Sequence, residues 1–155
     1  MAIKIANLNK YPELIPVVAK IWHDSLSNYF SDISIKQVEQ GFYNELNDNV
    51  LPLTLIALKD AEVIGAISLY RNDEIRTDLT PWIESLVVVK AHQNQGIGKM
   101  LVEKAKQKAR DLNFKKLYLF AFEPSLVPYY EKLGLKFMAI DRFKKQVVTI
   151  MVSIL

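Results

Sequence analysis

LVVVKAHQNQGIGKML, residues 86–101, begins as a run of apolar, β-branched residues, continues as a short polar loop and ends at the start of a helix. Apolar residues from Ile97 to Leu112 recur mostly at intervals of three and four, the periodicity of one helix face. Gly96 and Gly98 lie at the junction, where the first N–H groups of a helix lack partners within it. The helix dipole is positive at this end, and glycine lets a ligand approach the backbone closely. The stretch therefore predicts an anion site between a strand and a helix.

The spacing of the glycines selects among the loops that bind phosphates. A Walker loop requires Ser or Thr directly after its Gly-Lys pair, but Gly98-Lys99 is followed by Met100. A dinucleotide-binding loop requires a third glycine where this chain has Leu101, so both loops are excluded. The pattern that fits is Gln/Arg-x-x-Gly-x-Gly/Ala, which the chain has as QNQGIG over residues 93–98. An ordinary loop-to-helix turn can carry the same two glycines, so the rest of the chain has to decide.

The composition narrows the classes of function. The chain has 155 residues, 50% of them hydrophobic and 24% charged, and a net charge of +3, and we expect one domain over residues 1–155. With no cysteine and two histidines, disulfides and cysteine nucleophiles are excluded and a bound metal is not expected. No signal peptide or membrane span is recognisable, so we expect a cytoplasmic protein with no membrane partner. The low charge and the lack of an aromatic and basic stripe argue against a nucleic-acid partner.

Hydrophobic periodicity and turn residues predict the order of the secondary structure. Strands are predicted over residues 2–8, 51–58, 63–70, 82–89, 116–122, 135–140 and 147–155. Helices are predicted over residues 17–29, 35–46 (with Ser34 as N-cap), 97–112 and 125–133. The 82–89 strand is apolar at both even and odd positions, which predicts a central strand covered on both faces. The fold class is therefore α/β (α+β), with one mixed, mostly antiparallel sheet flanked by helices and a parallel step across the 97–112 helix.

This order resembles the fold of the Gcn5-related N-acetyltransferases (GNAT) over essentially the full chain. Two further stretches carry the resemblance. YEKLGL at residues 130–135 is close to the family's common YEKLGF, and VTIMV at residues 148–152 is similar to its last strand. The chain departs from the family at Lys90, where proline is common, and at Asn94, where glycine is common. It also departs at Glu123, which stands where an asparagine that contacts the cofactor is common.

The resemblance implies acetyl-CoA as co-substrate and no metal. In the family, the strands that correspond to residues 82–89 and 116–122 splay apart, and the pantetheine arm lies in the gap. This implies that pantetheine is bound by backbone groups of Leu86, Val87 and Val88. The pyrophosphate is implied to lie on backbone N–H groups, with the Gln93 side chain assisting. The residues concerned are Gln93, Asn94, Gln95, Gly96, Ile97, Gly98 and Lys99.

Two residues are candidates for catalysis. Glu84 interrupts an otherwise apolar strand, so its carboxyl group is expected to be partly desolvated, which raises its pKa toward that of a useful general base. A salt bridge to Arg71 or Arg76, or simple exposure at the start of the strand, is the structural alternative. Tyr130 resembles the tyrosine that serves the family as general acid toward the sulfur. The alternatives are a packed helix aromatic at this position and Tyr129 as the tyrosine that faces the cleft.

Together, the residues and the resemblance predict an N-acetyltransferase that moves the acetyl group of acetyl-CoA directly to a primary amine in a ternary complex. A covalent acyl-enzyme is not expected, because the chain has no cysteine and no obvious serine–histidine pair. The acceptor is predicted to be a small-molecule or peptide amine, and the acidic residues between positions 73 and 84 favour a cation. The alternative is a non-catalytic acyl-CoA-binding sensor or interaction module on the same fold. A homodimer through the last strands is compatible with the sequence.

Overall fold

The computed structural model describes residues 2–30 and 32–155, and within them eight strands form one mixed sheet with four α-helices on its two faces. The strands are β1 (Ile3–Asn7), β2 (Leu53–Lys59), β3 (Glu62–Tyr70), β4 (Trp82–Ile83), β5 (Val87–Val88), β6 (Lys116–Ala121), β7 (Lys136–Phe143) and β8 (Gln146–Ile154). The helices are α1 (Ile15–Leu26), α2 (Ile35–Tyr43), α3 (Ile97–Asp111) and α4 (Val127–Lys132).

The strands follow the order β1-β2-β3-β4-β6-β8-β7, with β5 beside β3. All neighbours are antiparallel except β4 and β6, which are parallel and connected through α3. A parallel pair needs a crossover connection, and α3 supplies it. The predicted fold class and the position of its parallel step are confirmed.

Each face of the sheet has its own core. On one face, Ile97, Leu101 and Ala105 of α3 form a buried cluster with strand residues such as Leu55 and Leu117. The opposite face is covered by α1 and α2, and its cluster includes Trp22, Val38, Phe42, Ile56 and Val87. We call these the α3 face and the α1/α2 face.

The single strand predicted over residues 82–89 is wrong in one respect, since it is divided into β4 and β5. The Glu84 N–H donates to the Ser68 carbonyl at 3.0 Å, whereas Val87 lies opposite Ala66. Two residues, 85 and 86, therefore face the single residue 67, which makes a β-bulge. The indole N–H of Trp22 donates to the Ser85 hydroxyl at 2.9 Å and ties the bulge to α1.

The bulge opens the sheet. Trp82 of β4 lies opposite Tyr118 of β6, but β5 is paired with β3 alone in the part of the sheet that the structure describes. Beyond that one pair, β5 and β6 diverge and leave a gap in the middle of the sheet. The splayed strands implied by the resemblance are therefore present.

Several local predictions hold. Ser34 caps α2 in a reciprocal capping box with Gln37. Gly134 follows α4 with φ of 90°, and Asn113 follows α3 with φ of 70°, as left-handed residues do at helix ends. The predicted first helix ends earlier than expected, because residues 27–29 form a 3₁₀ turn after α1. Within residues 2–30 and 32–155, none of the helices is long and apolar enough to span a membrane.

Candidate active site

The gap between β5 and β6 forms a cleft in the middle of the sheet. Its α3-face side is lined by Ile83, Leu86, Leu119, Leu126 and Tyr130. The other side is lined by Leu26, Tyr29, Phe30, Glu84, Phe120 and Phe122. The two predicted catalytic residues, Glu84 and Tyr130, thus line one cleft from opposite sides of the sheet.

Glu84 sits at the start of the bulge with its carboxyl group in a nonpolar, acidic environment. Burial is the largest cause, and together with the hydrogen bond and charge of the neighbouring Asp73 carboxyl it raises the pKa of Glu84 to about 10. The alternative of a salt bridge is not observed: Arg76 pairs with Asp78 at 2.8 Å, and Arg71 lies over the ring of Phe114. Among the described residues, no ion pair involves Glu84. Its carboxyl group therefore holds a proton at neutral pH in the free protein.

A second buried carboxyl group, that of Glu45, lies behind Glu84 and was not predicted. Glu45 is 5% exposed, accepts a hydrogen bond from the Thr54 hydroxyl at 2.9 Å, and has a raised pKa because of burial. The Thr54 and Ser68 hydroxyls are 2.8 Å apart, which links this group to the strand opposite Glu84. The sequence did carry a signal: Val38, Phe42 and Glu45 follow each other at helical spacing, so a carboxylate continues the apolar stripe of α2.

The open edge of β5 presents backbone groups to the cleft. The Val89 N–H donates to the Ile64 carbonyl at 2.9 Å, and antiparallel alternation then directs the N–H and C=O of Val87 to β3 and those of Leu86 and Val88 to the gap. Two of the three residues predicted to bind pantetheine therefore have backbone groups available there. The Gln93 side chain donates to the Val88 carbonyl at 3.1 Å.

The loop before α3 has the backbone that an anion site requires. Asn94 and Gly96 have φ of 63° and 80°, and the first hydrogen bond of the helix runs from Met100 N–H to Gly96 C=O at 3.0 Å. The N–H groups that precede it, those of Ile97, Gly98 and Lys99, point out of the helix end. The backbone N–H of Gln93 is engaged instead, since it donates to the Lys90 carbonyl at 3.3 Å. Asn94 takes the left-handed conformation without needing the glycine that is common there.

Gly98 has no side chain, which leaves space at the start of α3 for the hydroxyl of Tyr129. A Cβ built at Gly98 would overlap the hydroxyl of Tyr129, which reaches over from α4. Gly96, in contrast, has no atom within 4 Å of such a Cβ, so its requirement is the positive φ alone. The two glycines therefore have different roles, one in chain conformation and one in close approach.

Tyr130 projects into the cleft from α4, whereas Tyr129 faces the α3 end. Burial raises the pKa of Tyr130 to about 12, so its hydroxyl keeps its proton at neutral pH. Helix α4 is fixed to α3 by Lys106, which is 7% exposed and donates from Nζ to the Leu133 carbonyl at 2.7 Å. The alternative that Tyr129 lines the cleft is not supported by the lining residues.

Glu123 contacts the opposite wall of the cleft. Its carboxylate accepts a hydrogen bond from the Tyr29 hydroxyl at 3.2 Å, and the Tyr29 ring stacks on Phe122 with centroids 4.2 Å apart. Glu123, which stands where the family commonly has asparagine, therefore connects the end of β6 to the turn after α1. This contact and the lining role of Phe120 and Phe122 were not predicted, although the aromatic residues at alternate positions 118, 120 and 122 indicate a row on one strand face.

The arrangement places a carboxyl group with a raised pKa and a protonated tyrosine in one cleft, with an open strand edge beside it and free N–H groups at the start of α3. In residues 2–30 and 32–155, no group of three or more His, Cys, Asp or Glu side chains is placed to hold a metal ion.

Comparison with known proteins identifies the same family. The model of a family described as "Acetyltransferase (GNAT) family" matches residues 18–135, more than half of the chain. No curated protein sequence matches the chain at a significant level.

Solved acetyltransferase structures share the fold. The NatC complex bound to Gag peptide and CoA has a TM-score of 0.75 and 22% identity, with 100% of this chain and 99% of that chain covered. Aminoglycoside 6'-acetyltransferase type Ii has a TM-score of 0.75 and 18% identity, with 99% and 97% covered. A GNAT family acetyltransferase from Elizabethkingia anophelis with acetyl-CoA bound has a TM-score of 0.69 and 19% identity, with 99% and 98% covered. The likeness concerns the fold, and it confirms the predicted fold class and the resemblance.

Proposed function

The chain belongs to the acetyltransferase (GNAT) family, and from that premise we propose that it is an N-acetyltransferase that transfers the acetyl group of acetyl-CoA directly to a primary amine. The observation that carries this proposal is the cleft through the sheet, which brings Glu84 and Tyr130 together beside the helix end that suits a pyrophosphate. Solved relatives bound to CoA or acetyl-CoA support the choice of co-substrate.

Acetyl-CoA would be held along the α3 face. The N–H groups of Ile97, Gly98 and Lys99 suit its pyrophosphate, and the gap-facing backbone of Leu86 and Val88 suits its pantetheine amides. The co-substrate supplies an activated acetyl group as a thioester. This assignment leaves the α1/α2 side of the cleft for the acceptor.

Glu84 is the proposed general base. A free alkylammonium has a pKa of about 10.4, and the Glu84 carboxyl, with a pKa raised to about 10, is closely matched to accept its proton. An ammonium ion that enters the cleft stabilises the carboxylate, so one proton leaves when the amine binds. The carboxyl group of Asp73 holds Glu84 near this matched value.

Tyr130 is the proposed general acid. The transfer breaks the thioester C–S bond and forms an amide C–N bond, so the nitrogen loses a proton and the sulfur gains one. A tyrosine whose pKa is raised to about 12 is protonated at neutral pH, so its hydroxyl has a proton to donate when the departing sulfur becomes negatively charged. The lack of cysteine in the chain supports direct transfer over a thioester-linked enzyme.

The first experiment is thermal unfolding with acetyl-CoA, with ATP and NAD as phosphate-bearing controls. A ligand at about one hundred times its dissociation constant adds about 2.7 kcal/mol, and each kcal/mol moves the midpoint of a domain of this size by roughly 2–4 °C. We expect a shift of several degrees with acetyl-CoA alone. Equal shifts with all three ligands, or none, would contradict the cofactor assignment.

The second experiment measures thiol release from acetyl-CoA in the presence of amines. The chain contributes no background because it has no cysteine. We expect amine-dependent release that Glu84→Gln reduces strongly and that Glu62→Gln, an exposed carboxyl-to-amide change at the far end of β3, leaves unchanged. Cofactor binding without turnover for any amine would instead favour the non-catalytic acyl-CoA-binding module.

A homodimer through the last strands is also proposed. The edge hairpin of β7 and β8 exposes several large apolar side chains, and exposed apolar surface at a sheet edge favours an interface. These residues are Phe137, Met138, Ile140, Val147 and Ile154. We expect the mass from light scattering to be twice the chain mass and to fall to that of a monomer for Ile140→Lys.

A further inference from the structure

The acceptor side of the cleft has an aromatic wall, which consists of Tyr29, Phe30, Phe120 and Phe122. All four side chains are partly exposed, whereas Phe143 behind them is buried. Large aromatic side chains that remain accessible inside a concave site are available to a ligand. The wall is therefore a surface of the cleft and is not completely taken up by the core.

The wall is held in shape before any ligand arrives. Tyr29 stacks on Phe122 with the ring planes 4° apart, and Phe30 and Phe120 meet Phe122 edge-on at centroid distances of 5.8 and 5.2 Å. The Tyr29 hydroxyl is bonded to Glu123, and the Tyr29 carbonyl accepts from the Gln146 side chain at 3.1 Å. A fixed aromatic wall favours a flat, apolar ligand group, because stacked and edge-on ring contacts add to the burial of apolar area.

The charge in the cleft favours a cationic group at one place. Among the described residues that line it, Glu84 is the one with a carboxyl group, and all the others except the two tyrosines are entirely apolar. The carboxyl groups of Asp73, Glu45 and Glu74 lie near enough to raise the pKa of Glu84 but do not line the cleft, so Glu84 is the carboxyl contact that the lining offers to an ammonium group. A polyamine or a peptide backbone would leave further charged or polar groups against apolar side chains, which is unfavourable.

We propose that the acceptor is a small arylalkylamine: a primary amine carried on an aromatic ring, with the ring against the aromatic wall and the nitrogen at Glu84. The proposal rests on the N-acetyltransferase function above and specifies its substrate class. The same transfer then yields the arylalkyl acetamide and free CoA, with one proton released.

The test compares four amines in the thiol-release assay: 2-phenylethylamine, n-butylamine, spermidine and trialanine. We expect kcat/KM for 2-phenylethylamine to exceed that for n-butylamine by about 10–100-fold, because burial of a ring contributes area and ring contacts that a short alkyl chain lacks. Binding of 2-phenylethylamine to the CoA-saturated protein is measured separately by calorimetry, so that recognition is read without turnover.

Variants of the wall show whether the preference comes from these rings. Phe122→Leu and Tyr29→Leu keep an apolar surface but remove a ring, and each is expected to lower the 2-phenylethylamine to n-butylamine ratio about three- to tenfold, chiefly through KM. Tyr43→Leu, at an aromatic residue of α2 that is 50% exposed, is the matched control and should leave the ratio unchanged.

The outcomes separate this inference from the proposed function. Turnover of spermidine or trialanine at rates equal to or above that of 2-phenylethylamine would overturn the inference and leave the N-acetyltransferase standing. Binding of 2-phenylethylamine without turnover of any amine would overturn the N-acetyltransferase and support the aromatic site. A ratio that both wall variants leave unchanged would overturn the role of the rings.

Discussion

The two sides of the cleft are built in different ways. On the α3 face, the groups that suit the cofactor are backbone groups: the N–H groups at the start of α3 and the gap-facing edge of β5. On the α1/α2 face, the groups are side chains, namely a wall of rings and the carboxyl groups of Glu84, Asp73 and Glu45. A backbone site tolerates many side chains, and a side-chain site changes with each substitution. The cofactor side can thus stay constant in a family while the acceptor side varies.

The largest test of this difference is Glu84→Gln. The change removes the base on the acceptor side, and we expect kcat to fall by about 10²–10⁴-fold, the usual contribution of acid–base catalysis. The dissociation constant of acetyl-CoA, measured by calorimetry, should remain within about twofold. A comparable loss of cofactor affinity would mean that the two sides are not separate.

Tyr130→Phe tests the proposed general acid, which lines the α3-face side of the cleft. Loss of the proton donor should lower kcat by about 10–100-fold, less than for Glu84 because water can also protonate a thiolate. The effect should shrink as pH falls, when protons from solvent become more available, and a pH profile of kcat records this. Tyr129→Phe is the matched control, and a larger loss for this variant would reverse the assignment of the two tyrosines.

Gly98→Ala is the corresponding change on the cofactor side. The new methyl group competes with the Tyr129 hydroxyl for space at the helix end, and we expect acetyl-CoA binding to weaken about tenfold while the order of preferred amines is unchanged. Gly41→Ala in α2, where a Cβ meets its nearest neighbour at an ordinary 3.9 Å, is the control and should leave affinity unaltered. A changed amine preference in Gly98→Ala would mean that the cofactor side and the acceptor side are not independent.

The last test concerns the dependence of stability on pH rather than activity. Because the pKa of Glu84 is raised from about 4.3 in the unfolded chain to about 10, the native state binds more protons than the unfolded state between these values. Its contribution to the free energy of unfolding is present below about pH 4 and is lost as pH rises. We expect Glu84→Gln to remove up to about 1.4 kcal/mol per pH unit of this decline between pH 6 and 9. Melting curves of the two proteins that run parallel over this range would contradict the raised pKa.

The sequence predicted the cofactor side better than the acceptor side for a physical reason. Gly96, Gly98 and the apolar run before them are neighbours in the chain, so a local pattern reports their geometry. Glu45 and Phe122 are more than seventy residues apart in the chain, and only the folded sheet brings both of them near Glu84. Glu84 was identifiable because a carboxylate inside an apolar strand is unusual even in a local pattern.

The bulge illustrates what local patterns leave out. Residues 82–89 read as one continuous strand because nearly every position is apolar, and alternation cannot reveal an extra residue in such a run. The break depends on the bond between Trp22 and Ser85, whose partners are 63 positions apart. The prediction therefore had the correct strand and orientation but lacked the feature that opens the cleft.

The bond from the Gln93 side chain to the Val88 carbonyl has a consequence for the free protein. The Gln93 carboxamide is chemically similar to the amides of pantetheine. It can therefore donate the hydrogen bond that the Val88 carbonyl needs while no ligand is bound. Arrival of the ligand would then exchange one amide contact for another of nearly equal strength. The released side chain would become free to turn toward the neighbouring phosphates, and the strand edge would never present a bare acceptor to another chain.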